Sequence, residues 1–315
     1  MSNIIEMKDV RKSYGKAQIL RGINLEVPEG SVLALLGPNG AGKTTTVSIL
    51  TTLLHYTSGT VRIAGLDVTK DADKVRSMIG VAGQGVTVDD YLTGMQNLVM
   101  VGRLYRFSRS DAKKRASDLL KQFSLVDAAN RPVKTYSGGM RRRLDLAASL
   151  VAAPKILFLD EPTTGLDPES RTAMWKAIRE FVKNGTTLLL TTQYLEEADA
   201  LADTVAVINH GQIIAIDTPS KLKSALGGER LEVTLAHTSD VSKIAKMDVA
   251  VLPQVEKTNV FGFVLPEGKD GLKKATIVLE QLAAAHIEVA EYAIKRPSLE
   301  EAFIQLIAKT PQEGN

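Results

Sequence analysis

Apolar positions along the chain fall into two rhythms. Ile4–Val10, Ile19–Val27, Val32–Leu36 and Gly59–Ile63 read as short β-rich segments, with Gly, Pro, Asn or Asp punctuating their junctions. Ser108–Phe123 sets apolar residues among Asp111, Lys113, Lys114 and Arg115, and Ser137–Ala152 carries Leu144, Leu146, Leu150 and Val151 in partial helical register, so both predict helices. Lys155–Leu159 and Thr186–Leu190 are apolar runs of strand length separated by a helical pattern at Glu169–Lys183, the signature of a βαβ unit in a buried parallel sheet. The expected fold class is therefore α/β with a doubly wound core. Near Gly227-Gly228 the pattern changes, and from Leu231 strand-like LEVTLA and VFGFVL alternate with helical Ala275–Ala285 and Ser298–Ala308. Two domains are expected, 1–225 and a small α+β unit over 226–315. The last helix opens with Ser298-Leu299-Glu300-Glu301, which predicts a capping box in which Ser298 accepts from a first-turn amide and Glu301 reaches back.

Composition narrows the partners. The 315 residues are 44% hydrophobic and 24% charged, ordinary globular values. Thirty-nine Lys and Arg against thirty-six Asp and Glu leave a formal charge of +3, far from the cationic excess that marks nucleic-acid binding by charge alone, and no nucleic-acid partner is expected. Zero cysteines exclude disulfides and thiolate chemistry together. The start MSNIIEMKDVRKSYG has no apolar h-region and is not expected to act as a signal peptide. No stretch approaches the roughly 18 apolar residues of a spanning helix, so any membrane role is expected to be peripheral.

One motif carries specific chemistry. Gly37-Pro38-Asn39-Gly40-Ala41-Gly42-Lys43-Thr44 matches G-x-x-x-x-G-K-[ST] after strand Val32–Leu36 and before helical Thr45–Leu54. Such a loop curls its amides around a β-phosphate while the helix N-terminus adds a favourable dipole. Lys43 would neutralise β- and γ-oxygens, Thr44 would offer a hydroxyl to Mg²⁺, and Thr45 a second hydroxyl near the α-phosphate. The acidic partner is Ile156-Leu157-Phe158-Leu159-Asp160-Glu161, a buried strand delivering two carboxylates to its end. Asp160 would hold Mg²⁺ through water and Glu161 would polarise the attacking water as general base. A kinase, a GTPase and a transport ATPase all fit this far.

Tyr136-Ser137-Gly138-Gly139-Met140 resembles the LSGGQ signature of ATP-binding-cassette proteins, and about residues 4–225 resemble that family as a whole. The resemblance implies an ABC nucleotide-binding domain with a β-rich subdomain and a helical subdomain at about 87–152. It also implies an ATPase whose Ser137, Gly138 and Gly139 bind the γ-phosphate held by a partner copy. Tyr14 stands where the family stacks an aromatic on adenine, Gln84 matches the Q-loop glutamine at Mg²⁺, and Gly165-Leu166-Asp167 looks like the D-loop, whose aspartate crosses the dimer interface. One residue departs: Gln193 occupies the position of the family's switch histidine, and its amide can donate to a γ-phosphate oxygen but cannot carry charge. Leu92-Thr93-Gly94, Gln193 and the terminal Arg296–Phe303 resemble the ATPase subunits of daunorubicin/doxorubicin-resistance exporters and their antibiotic and glycolipid relatives.

The resemblance implies a homodimer on the cytoplasmic face of the membrane, served by ATP and Mg²⁺ and coupled to a separate ABC-2 type permease, with the C-terminal domain regulating or stabilising it. A soluble ABC ATPase acting on ribosomes or DNA is the alternative, set against by the single cassette and compact insert between the motifs. A GTPase switch is set against by the absence of Asn-Lys-x-Asp. Arg141-Arg142-Arg143 cannot all face one way and are expected to be solvated or paired within their helix. Trp175 is expected in the core, and the four histidines lack ligand spacing.

Overall fold

The computed structural model describes residues 2–83, 88–225, 229–244, 251–252, 259–266, 269–295 and 298–309. The chain divides into two compact units, 1–219 and 220–315, the division falling slightly before the expected 225.

In the first unit β1 (Asn3–Tyr14) and β2 (Ala17–Pro28) form a hairpin, followed by β3 (Val32–Leu36), α1 (Lys43–Leu50), β4 (Ser58–Ile63), β5 (Leu66–Asp67), α2 (Ala72–Arg76) and β6 (Ile79–Ala82). Three helices come next, α3 (Gly94–Leu104), α4 (Arg109–Gln122) and α5 (Gly138–Ser149). The chain then returns to the sheet as β7 (Ile156–Asp160), α6 (Pro168–Lys183), β8 (Thr187–Thr192), α7 (Leu195–Leu201), β9 (Thr204–Asn209) and β10 (Gln212–Asp217).

Six strands lie in the order β10-β9-β3-β8-β7-β6, parallel except for β10. Every residue of β3, β7 and β8 is buried, because helices and a second sheet cover both faces of a parallel sheet. The second sheet is antiparallel, β2-β1-β4-β5. In β1 the inward residues run Ile5, Met7, then Val10, and a register shift between Met7 and Val10, with Asp9 at φ 45°, lets all three bury despite the broken alternation. One apolar core joins the sheets: Ile5, Met7 and Leu25 from the antiparallel sheet meet Leu33, Phe158, Leu189 and Ile208 from the parallel one, with Val47 and Ile49 of α1.

The helical insert is fixed by a local cap and by a contact with α6. Thr93 and Gln96 form a reciprocal capping box at the start of α3. Phe123, at the end of α4, stacks on Phe181 of α6 with ring centroids 5.8 Å apart.

The second unit begins in α8 (Pro219–Ser224) and contains β11 (Arg230–Leu235), α9 (Val241–Ile244), β12 (Val251–Leu252), β13 (Val260–Val264), α10 (Lys269–Ala284), β14 (Val289–Lys295) and α11 (Leu299–Lys309). Its antiparallel sheet, β12-β13-β11-β14, packs Leu231, Val233 and Phe263 against Ala275, Val278 and Leu282 of α10, a core of its own. The terminal capping box is only half formed. Glu301 N does donate to Ser298 Oγ at 3.1 Å, but the Glu301 carboxylate makes a two-point pair with Arg230 at 2.6 and 2.9 Å instead of reaching back. A bidentate guanidinium outcompetes a single backbone amide for a carboxylate.

Candidate nucleotide-binding site

β3 ends at Leu36 and α1 opens at Lys43, so Gly37–Gly42 form the turn between a buried strand and a helix N-terminus. Gly42 precedes the helix at φ 110°, and a Cβ there would lie 2.6 Å from Leu20 Cδ2, so only glycine makes this entry. Gly37, Ala41 and Gly42 are buried while Pro38, Asn39 and Gly40 form the exposed crown. Lys43 is 5% exposed, and its Nζ donates to the carbonyls of Gly37 at 2.7 Å and Pro38 at 3.1 Å. Burial pushes its ammonium below the usual lysine range, while the charges of Glu161 and Asp160 pull it back up. Thr44 is exposed and Thr45 half-buried at the first turn of α1.

Thr44 Oγ1 donates to Asp160 Oδ2 at 3.4 Å, joining the first turn of α1 to the end of β7. The β7–β8 register sets Asp160 beside Thr191, whose hydroxyl donates to Asp160 Oδ1. Asp160 is thus held by two hydroxyls and faces no salt-bridged cation among the described residues.

Glu161 follows with φ 50°, a left-handed conformation that costs a non-glycine residue of order 1–3 kcal/mol and persists where the surroundings over-determine it. Its N–H donates to Thr191 O at 3.0 Å, and its Oε2 accepts from Thr164 Oγ1 at 3.2 Å.

Ser137 is the N-cap of α5, accepting from Met140 N at 3.2 Å. The Cα of Gly138 faces open space, whereas a Cβ on Gly139 would lie 2.7 Å from Ser170 Oγ. That same hydroxyl donates to Asp167 Oδ2 at 2.8 Å, and Ser170 N donates to Asp167 Oδ1 at 2.8 Å. Asp167 is therefore the N-cap of α6, its pKa lowered chiefly by the Ser170 amide. A cleft of about 440 Å³ opens among Gly138, Arg142, Glu161, Thr164 and Leu166.

The remaining predicted residues lie at the margins. Tyr14, at the β1–β2 turn, is 52% exposed with Lys12 Nζ 4.8 Å from its ring centre. Gln193, immediately after β8, is exposed. Gln84 lies outside the described residues.

The arginine triplet and Trp175 depart from expectation, and Glu197 is a buried acid that no sequence motif singled out. The arginine triplet is neither solvated nor paired only along its helix: Arg141 meets Lys134 O and Asp90, Arg143 meets Phe123 O, and Arg142 contacts the end of β7. Trp175 is half-buried rather than core, and its Nε1 donates to Glu197 Oε1 at 3.2 Å. Glu197 itself is fully buried on α7, and desolvation drives its carboxyl above the usual glutamate range against the pull of its hydroxyl and indole partners. The available signal was its place four residues before Leu201, on the apolar face of a short helix.

Residues 20–164 match the family model described as ABC transporter. Over 96% of this chain and 94% of its relative, the sequence is 47% identical to the daunorubicin resistance ATP-binding protein DrrA2 of Streptomyces coeruleorubidus. The chain belongs to the ATP-binding subunits of ABC transporters. This ABC ATPase is also 32% identical to the linearmycin resistance ATP-binding protein LnrL of Bacillus subtilis, over 98% of the chain and 99% of that protein. Among solved structures, the dimeric post-hydrolysis state of the ATP-binding cassette MJ0796 bound to ADP and Pi matches with a TM-score of 0.62 and 26% identity, covering 68% of this chain and 98% of that one. Among the described residues of the ABC ATPase, no helix is long and apolar enough to cross a membrane.

Proposed function

We propose that this chain powers an ABC exporter as a head-to-tail pair of copies. The pair works beneath a separate ABC-2 type permease on the cytoplasmic face of the membrane and drives efflux of a drug, antibiotic or lipid-like compound. The observation that carries the chemistry is the 3.4 Å approach of Thr44 to Asp160, with Glu161 next along the strand. The export reading is supported by relatives whose names state daunorubicin and linearmycin resistance.

In this reading the P-loop amides and the α1 N-terminus hold the phosphates, and Lys43 Nζ exchanges its two neutral carbonyls for β- and γ-oxygens, a charge-assisted gain. The hydroxyl of Thr44 and the carboxylate of Asp160 are hard oxygen donors that fit Mg²⁺, and no cluster of three or more His, Asp or Glu among the described residues competes for it. When bound, the metal supplies neutralisation of phosphate charge. Glu161 takes a proton from water as its oxygen attacks the γ-phosphorus, and the bond to the ADP oxygen breaks. Gln193 donates its amide to the γ-phosphate, Tyr14 stacks on adenine, and Gln84 serves the metal. Ser137, Gly138 and Gly139 present the α5 amides to the partner's nucleotide, a role for which the open face of Gly138 leaves room. Asp167 sits at the interface, and the 220–315 unit stabilises or regulates the pair.

ATP-dependent uptake of daunorubicin into inside-out vesicles carrying the chain and its co-purifying membrane partner tests the export reading. Uptake that requires ATP and disappears with Lys43→Ala is expected; hydrolysis without uptake would remove the drug from the substrate class.

A further inference from the structure

One side chain fastens the signature helix to the catalytic strand. Arg142, 13% exposed, directs its guanidinium almost wholly at main-chain carbonyls. Nε donates to Pro162 O at 2.9 Å, and Nη2 to Glu161 O at 3.0 Å and Asp160 O at 3.2 Å. Nη1 donates to Gly83 O, at the end of β6, and lies 3.7 Å from Asp145 Oδ2. Three consecutive carbonyls at the end of β7, including that of the strained Glu161, are gathered by one rigid fork. At the N-terminus of the same helix, about 8 Å along the axis from Arg142, stands the Ser137 cap.

We propose that Arg142 is a positioning residue that couples the two ATP sites of the dimer, making the strand end that serves one nucleotide move as a unit with the α5 N-terminus that serves the other. The inference rests on the head-to-tail pair proposed above. Within one copy, Asp160 and Glu161 act on the nucleotide bound by that copy's own P-loop, whereas Ser137–Gly139 face the nucleotide of the other. A displacement of the 160–162 carbonyls, as Glu161 engages water on the γ-phosphate, is carried by the guanidinium into α5. Gly139 against Ser170 adds a second support on the same helix, through the cap of α6.

Steady-state ATPase against ATP concentration, measured on the full-length chain, tests the coupling. The parent is expected to be cooperative, with a Hill coefficient above about 1.5. Arg142→Ala should lower kcat by about tenfold, leave the calorimetric ATP affinity within about twofold and bring the Hill coefficient to about 1. Arg142→Lys, which keeps the charge but loses the fork, should fall between; if the alanine variant fails to fold, the Hill coefficient of the lysine variant decides. A folded Arg142→Ala with parental kcat and cooperativity overturns the proposal, as does a slow one whose Hill coefficient is unchanged. If the parent forms no ATP-dependent dimer, the head-to-tail reading fails first and takes the coupling with it.

Discussion

The Thr163 hydroxyl donates a 2.8 Å hydrogen bond to the buried carboxyl of Glu197, tying the segment that follows Glu161 to the helix that follows Gln193. Trp175 donates to the same oxygen, while Oε2 of Glu197 is buried without a hydrogen-bond partner among the described residues. An ionised carboxylate is costly in that setting, and desolvation accordingly raises its pKa.

The sign of the pH effect follows. A carboxyl whose folded pKa is raised binds more protons folded than unfolded, so stability is greatest below the unfolded value of about 4.3 and declines as pH rises through the window above it. Glu197→Gln removes that decline while keeping an acceptor for Thr163 and Trp175. Thermal unfolding should show the glutamine variant gaining on the parent between about pH 5 and 8, with the gap closing near pH 4. Glu197→Ala should lose about 1–3 kcal/mol at acidic pH, where the parent's carboxyl is neutral and hydrogen-bonded. Equal losses for Glu197→Gln at pH 5 and 8 would contradict the assignment of the raised pKa.

Lys43 is the buried ammonium within the loop, and its present partners are two uncharged carbonyls. Lys43→Ala should weaken ATP binding by at least about tenfold in calorimetry, as expected for losing a charge-assisted contact to phosphate. Unchanged affinity would argue against the loop as the phosphate site.

Gln193 is exposed at the end of β8, free to donate its amide to a phosphate. Gln193→Ala should slow hydrolysis about ten- to hundredfold, the equivalent of one charge-assisted hydrogen bond of about 1.5–3 kcal/mol, while Gln193→His retains activity. An alanine variant as fast as the parent would leave this position without a catalytic part.

The two units have separate apolar cores, and all nucleotide motifs lie in the first. A chain ending at Pro219 should therefore bind ATP with parental affinity while dimerising more weakly in analytical ultracentrifugation. A folded truncation that no longer binds ATP would refute the division of labour.

Much of the fold was legible because its signals are local. The runs Val32–Leu36, Ile156–Leu159 and Thr187–Leu190 are apolar enough to be buried strands wherever they occur, and the glycine-rich turn that ends the first announces its own chemistry. What sequence did not disclose depends on partners distant along the chain. Glu301 looked like half of a capping box until Arg230, 71 residues away, claimed its carboxylate. Arg142 bonds carbonyls 18 to 59 residues distant, and carbonyls carry no residue identity for a motif to record. Glu197 is enclosed by the indole of Trp175 and the hydroxyl of Thr163, 22 and 34 residues away along the chain.

We propose that Glu161, held in its left-handed turn at the end of β7, is the base that activates water for ATP hydrolysis. The turnover of Glu161→Gln, alongside its oligomeric state with ATP, decides the matter. Turnover should fall at least about a hundredfold while ATP binding persists and an ATP-bound dimer accumulates. Near-parental turnover by the glutamine variant would contradict the account.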